Sequence, residues 1–148
     1  MALPTDTASI THGIQLAIAP VFLLTAVSGM IGAVAARLAR IIDRARRVEE
    51  GMRASSDDAV LQRGYAELAQ LRFRGRLANA SIALLTLCAL CIGLTIVLLF
   101  LGEAVEFRSN VAAVYSFLSG VVCFLLALLA FLWETFVATK LLDFHLLR

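Results

Sequence analysis

The chain has 148 residues, 61% of them hydrophobic and 16% charged, with a formal net charge of +2. Average soluble domains run about 45–50% apolar and about 25% charged, so a mean hydropathy of +0.90 exceeds what a soluble surface tolerates. Composition therefore excludes a disordered tail, a collagen-like chain and a disulfide scaffold, and the small net charge gives no global signal for a polyanion partner.

Three apolar runs are long enough to cross a bilayer, since a helix needs about 20 apolar residues for about 30 Å of hydrocarbon. The first span covers 13–36 and holds Gln15, Thr25 and Ser28 but no formal charge. It carries a cleavage-like Ala33-Val34-Ala35, yet no Lys or Arg precedes it and its apolar stretch is too long for a signal peptide. It is expected to be retained. The second span covers 82–101 without a charged residue, and the third covers 111–132 and ends at Trp133 and Glu134. The expected fold is all-α: a single polytopic membrane domain of three transmembrane helices with a helical hairpin insert over 37–79.

Within the first span, Ser28, Gly32 and Ala36 are spaced by four, with Gly29 and Ala33 beside them. Small residues at this spacing let helix backbones approach closely in lipid. The ladder packs either against the other spans of its own chain or against another subunit around a pore. Pro20 removes one backbone hydrogen bond, giving a local bend or a wide vestibule. Gln15, Thr25 and Ser28 are polar and fit either local hydrogen bonding or a pore lining. The helix-packing or pore-lining candidates are thus Gln15, Pro20, Thr25, Ser28, Gly29, Gly32 and Ala36.

The insert is strongly basic. Ten arginines lie between Arg37 and Arg76, and 12 of the 13 basic residues fall on the side of the insert and the C-terminal tail. The positive-inside rule makes that side cytoplasmic and places the N-terminus and the 102–110 hairpin, with Glu103 and Glu106, outside. Leu38, Ile41, Ile42, Ala45, Val48 and Met52 recur at helical spacing, so one helix is expected over 13–50. Ser55-x-x-Asp58 reads as a capping box opening a second helix, with Val60, Leu61, Tyr65, Leu68 and Leu71 as its apolar stripe. Arg44, Arg46 and Arg47 mark a basic stalk suited to anionic headgroups. Nucleic acid is not an expected partner, because Asp43, Glu49 and Glu50 interrupt the run and no aromatic residue joins it.

Glu134 is followed by Phe136, Val137 and Ala138, so water does not freely solvate it. An ionisable residue at a span edge pairs or serves an ion path, and Arg37 and Arg40 lie at matching depth. An inner-interface ion pair is the expected role. Cys88-x-x-Cys91 has the spacing of a redox motif, but both thiols and Cys123 sit in apolar spans, where a reactive thiolate is not expected. His12 and His145 fall at opposite ends of the topology. No catalytic residue, metal site or cofactor is expected, and an enzyme is disfavoured.

The stretch Ile14-Gln15-Leu16-Ala17-Ile18-Ala19-Pro20-Val21-Phe22-Leu23-Leu24, the run Arg37-Leu38-Ala39-Arg40-Ile41-Ile42-Asp43-Arg44-Ala45-Arg46 and the late Trp133-Glu134-Thr135-Phe136 resemble a bacterial family of three-span proteins labelled a domain of unknown function (number 2721). The resemblance covers nearly the whole chain. It implies a bacterial inner-membrane protein and no activity, substrate or cofactor. The expected role is a homo-oligomeric ion channel or pore with the first span near the axis, ions being its cargo. The alternative is a non-conducting scaffold that docks a partner through the stalk.

Overall fold

The computed structural model describes the backbone of residues 7–105 and 110–146, and the side chains of 15, 18–102 and 111–139. Glu106 and Arg108 of the 102–110 hairpin fall outside these residues, as do the side chains of Glu103, His12 and His145. The described backbone forms three α-helices: α1 (Thr7–Arg53), α2 (Asp58–Val105) and α3 (Asn110–Leu146). Each carries a segment long and apolar enough to cross a membrane, within Ile18–Arg53, Asp58–Gly102 and Val111–Thr139. This is the architecture of a multi-pass membrane protein.

α1 has 47 residues and α2 has 48, more than twice the about 20 that a span needs. α1 passes through 37–43 as helix, because Arg, Leu, Ala and Ile there are good or acceptable helix formers and no glycine interrupts them before Gly51. Pro20 lies inside α1 and is buried.

The buried positions follow a period of seven. On α1 they are Pro20, Val27, Val34 and Ile41; on α3 they are Ala113, Gly120, Ala127 and Glu134. On α2 one such row is Gly64, Leu71, Ala78, Leu85 and Ile92, and Ser81, Cys88 and Thr95 form a second. A seven-residue repeat is the pattern of left-handed, knobs-into-holes helix packing.

The chain divides into two compact units. The first joins Met1–Met30 to Leu84–Leu125. Within it, α2 and α3 approach closely at Gly120. A Cβ there would lie 3.3 Å from Cys91 Cβ and 3.5 Å from the Cys88 carbonyl oxygen. Ser116 Oγ donates to the Cys91 carbonyl at 2.9 Å, and Thr95 Oγ1 donates to the same oxygen at 2.8 Å. Hydroxyls in an apolar segment are thereby satisfied without water.

The second unit joins Ile31–Ala83 to Leu126–Arg148. Here the C-terminal part of α1 packs on the N-terminal part of α2. Met52 lies over Gly64, where an added Cβ would overlap its Sδ and Cγ. Leu38 and Ile41 lie 3.9 Å from the Cβ position of Gly75. Arg44 Nη2 reaches Glu67 Oε1 at 2.8 Å across the pair.

Two expectations for this region need correction. The cap of α2 is Asp57, not Ser55. Asp57 Oδ1 accepts the Ala59 N–H at 2.9 Å, and its carbonyl accepts the Leu61 N–H at 3.1 Å. Ser55 Oγ accepts from Asp57 N at 3.2 Å and shapes the turn ahead of the cap. The apolar stripes are also narrower than expected. Ile42, Val60 and Tyr65 are exposed, because a helix packed against one neighbour covers only a narrow seam.

Candidate functional site

Among the described residues, Glu134 is the one charged residue that is buried. The seven-residue repeat of α3 places it one step beyond Ala127 on the buried row, so its carboxylate points inward with 0% exposure. Burying a carboxylate unpaired is prohibitive, and two arginines from two other helical segments meet it. Arg74 Nε donates to Oε1 at 2.9 Å, and Arg74 Nη2 lies 2.9 Å from the same oxygen. Arg37 Nε stands 2.7 Å from Oε2. That second approach is an ion pair without a well-directed hydrogen bond: Oε2 is a buried oxygen with no hydrogen-bond partner among the described residues. Distance alone would suggest two equal arms. The directed hydrogen bond comes from Arg74 Nε, and Arg37 contributes chiefly charge.

Arg37 is fixed from its other side. Its guanidinium carbon lies 5.3 Å from the centroid of the Phe131 ring, within cation–π range. Phe131 precedes Glu134 by three residues, so one turn of α3 presents both the carboxylate and the ring to α1. α1, α2 and α3 are thus tied at one point. The arginine side chains are 26% and 20% exposed, so the cluster is open at its rim and closed at its centre.

Of the residues expected here, the structure brings Glu134 and Arg37 together. It does not bring in Arg40, which is exposed and has no contact with Glu134 among the described residues. Arg74 was not singled out by the sequence reasoning. Its signal lay in the helical register of α2, where Arg74 falls beside the buried Leu71 and Ala78 while Arg72 and Arg76 point out.

The small-residue ladder has a different environment. Ser28, Gly29, Gly32, Ala33 and Ala36 are exposed, as are Gln15 and Thr25. A Cβ at Gly29 or Gly32 would meet nothing within 4 Å. Thr25 Oγ1 donates to its own helix at the Val21 carbonyl, 3.2 Å away. Pro20 is the exception among these candidates, being buried. Small residues that do pack within the chain include Ala113, Gly120 and Ala127 of α3 and Gly64, Ala78 and Ser81 of α2; those of α3 are spaced by seven rather than four, which a search for four-residue spacing does not find.

On the stalk, Arg44 pairs with Glu67, Arg47 Nε donates to the Asp43 carbonyl at 3.3 Å, and Arg46 is exposed. Cys88 is buried, Cys91 and Cys123 are half-buried, and all three are free thiols. Among the described residues, no three of His, Cys, Asp and Glu come together as a metal site.

No curated protein and no solved structure matches the chain. One family model does match, over residues 17–144, and its description is a protein of unknown function (DUF2721). That match takes in the Pro20 segment, the arginine run and the Glu134 cluster, and the chain belongs to this family.

Proposed function

We propose that the protein is a non-enzymatic, homo-oligomeric membrane protein whose subunits meet through α1 and conduct small ions along the axis they enclose. The observation that carries this reading is the exposed ladder Ser28, Gly29, Gly32 and Ala36, with open space above both glycines. Lipid gains nothing from a glycine-lined face, whereas a second helix can approach closely on it. Three helices of one chain do not enclose a path, but a closed ring of copies does. Gln15, Thr25 and Ser28 give that face uncharged polar groups, and Arg40 adds positive charge at its end. The arginine-rich side is taken as cytoplasmic, and a bacterial inner membrane as the location.

A scaffold role is the second reading. It is favoured by Tyr65 and Phe73, which are 66% and 48% exposed on the part of α2 that precedes its uncharged stretch. Aromatic side chains left open outside a span suit a protein partner.

Mass measurement of the detergent-solubilised protein, followed by ion flux in liposomes, tests the two. A defined oligomer with flux above empty liposomes is expected. A ring without flux favours the scaffold, and a monomer ends the pore reading.

A further inference from the structure

Glu134 does not exhaust the two arginines it holds. Two guanidinium groups carry ten N–H donors. The carboxylate takes one directed hydrogen bond, from Arg74 Nε, and has Arg74 Nη2 and Arg37 Nε within ion-pair distance, so three donors face it and the others do not. Among the described residues no other oxygen takes the remainder. Among the described residues Glu134 Oε2 is the one side-chain atom both buried and unpartnered, so none of the remaining nitrogens is in that condition. The free donors therefore reach the surface.

The charge balance points the same way. Two guanidinium groups on one carboxylate leave a net charge of +1, and the carboxylate is fully covered. An approaching anion meets guanidinium edges and not the acid beneath them. The position is equally specific. Arg37 and Glu134 each close an uncharged stretch, 7–36 on α1 and 110–133 on α3, and Arg74 lies just ahead of the uncharged 77–102 of α2. Lipid phosphates sit at that level, at the border of the hydrocarbon.

We infer that Arg37 and Arg74, held in place by Glu134, form a binding site for the phosphate of an anionic lipid headgroup. Glu134 and Phe131 orient the guanidinium forks, and a phosphate takes the outward donors in the planar, two-point geometry that arginine favours. Arg40 and Arg76, both exposed, add positive charge nearby. The site is a property of one chain and does not rest on the oligomer or on conduction.

The experiment uses the full-length protein in phosphatidylcholine nanodiscs, with phosphatidylglycerol added at fixed ionic strength. Thermal unfolding and lipid retention per chain, by native mass spectrometry, are the readouts. Phosphatidylglycerol should raise the melting temperature and be retained several-fold over phosphatidylcholine. Arg74→Gln should cut that retention several-fold, while Arg63→Gln, an equal charge change at an exposed position of α2, should not. Glu134→Gln should retain the lipid at least as well as the parent even if it melts lower, because it frees donors. Inorganic phosphate distinguishes the source: weak competition supports a headgroup, and stabilisation equal to that by phosphatidylglycerol overturns the lipid assignment in favour of a soluble phosphate. No preference for phosphatidylglycerol by the parent protein, or equal losses in Arg74→Gln and Arg63→Gln, overturns the site. The parent comparison decides the matter if Arg74→Gln fails to fold.

Discussion

At the scale of single residues, the two ion-pair sites among the described residues should behave differently. The Arg44–Glu67 pair has side-chain exposures of 60% and 39%, and such pairs contribute about 0–1 kcal/mol and are screened by salt. The Glu134 cluster has its acid at 0%. Breaking a buried pair costs about 3–5 kcal/mol when a charge is left behind. Arg74→Ala leaves Glu134 buried with only the indirect Arg37 contact, so it should fall in that range. Glu134→Ala leaves two arginines that can reach outward, so it should cost less. Arg44→Ala should lower the melting temperature little, and high salt should erase the difference. Chemical or thermal unfolding in detergent measures all three. A cost for Arg44→Ala equal to that for Arg74→Ala would contradict this assignment.

At the scale of helices, the apolar runs and the absence of breakers made three long helices legible from the sequence. The seven-residue repeat was also present in it, in Val27, Val34 and Ile41 and in Ala113, Gly120 and Ala127, but small residues spaced by four on α1 drew the reading first. Arg74 was not legible, because ten arginines crowd the insert and only the register of α2 separates an inward one from its neighbours. The α2 cap was misread for a similar reason: Ser55, Asp57 and Asp58 all suit a helix start, and the choice depends on which carbonyl accepts the first helical bond. Asp57→Ala should therefore cost about 1 kcal/mol and exceed the effect of Ser55→Ala. At Gly64, alanine gains up to about 1 kcal/mol of helix propensity but collides with Met52. Gly64→Ala should be neutral or destabilising in the parent and stabilising in a Met52→Ala background. A stabilising effect of the same size in both backgrounds would mean that Met52 does not occupy that space.

At the scale of the whole molecule, orientation and assembly are separate questions with separate measurements. A cysteine replacing Ser56 should resist an impermeant thiol reagent added outside cells, whereas one in the 103–110 hairpin should react. The reverse pattern would invert the positive-inside assignment. Assembly turns on two glycines in opposite surroundings. Gly120 is packed against α2 within the chain, and Gly32 faces open space. Gly120→Leu should therefore destabilise the folded chain itself. The most direct test of α1-mediated assembly is the oligomer mass in detergent of Gly32→Leu beside the parent and Val97→Leu, an exposed position on α2. Loss of the oligomer in Gly32→Leu, with its helical content intact and Val97→Leu unchanged, is the predicted result. An oligomer of parental mass in Gly32→Leu, or a monomeric parent, would contradict assembly through α1.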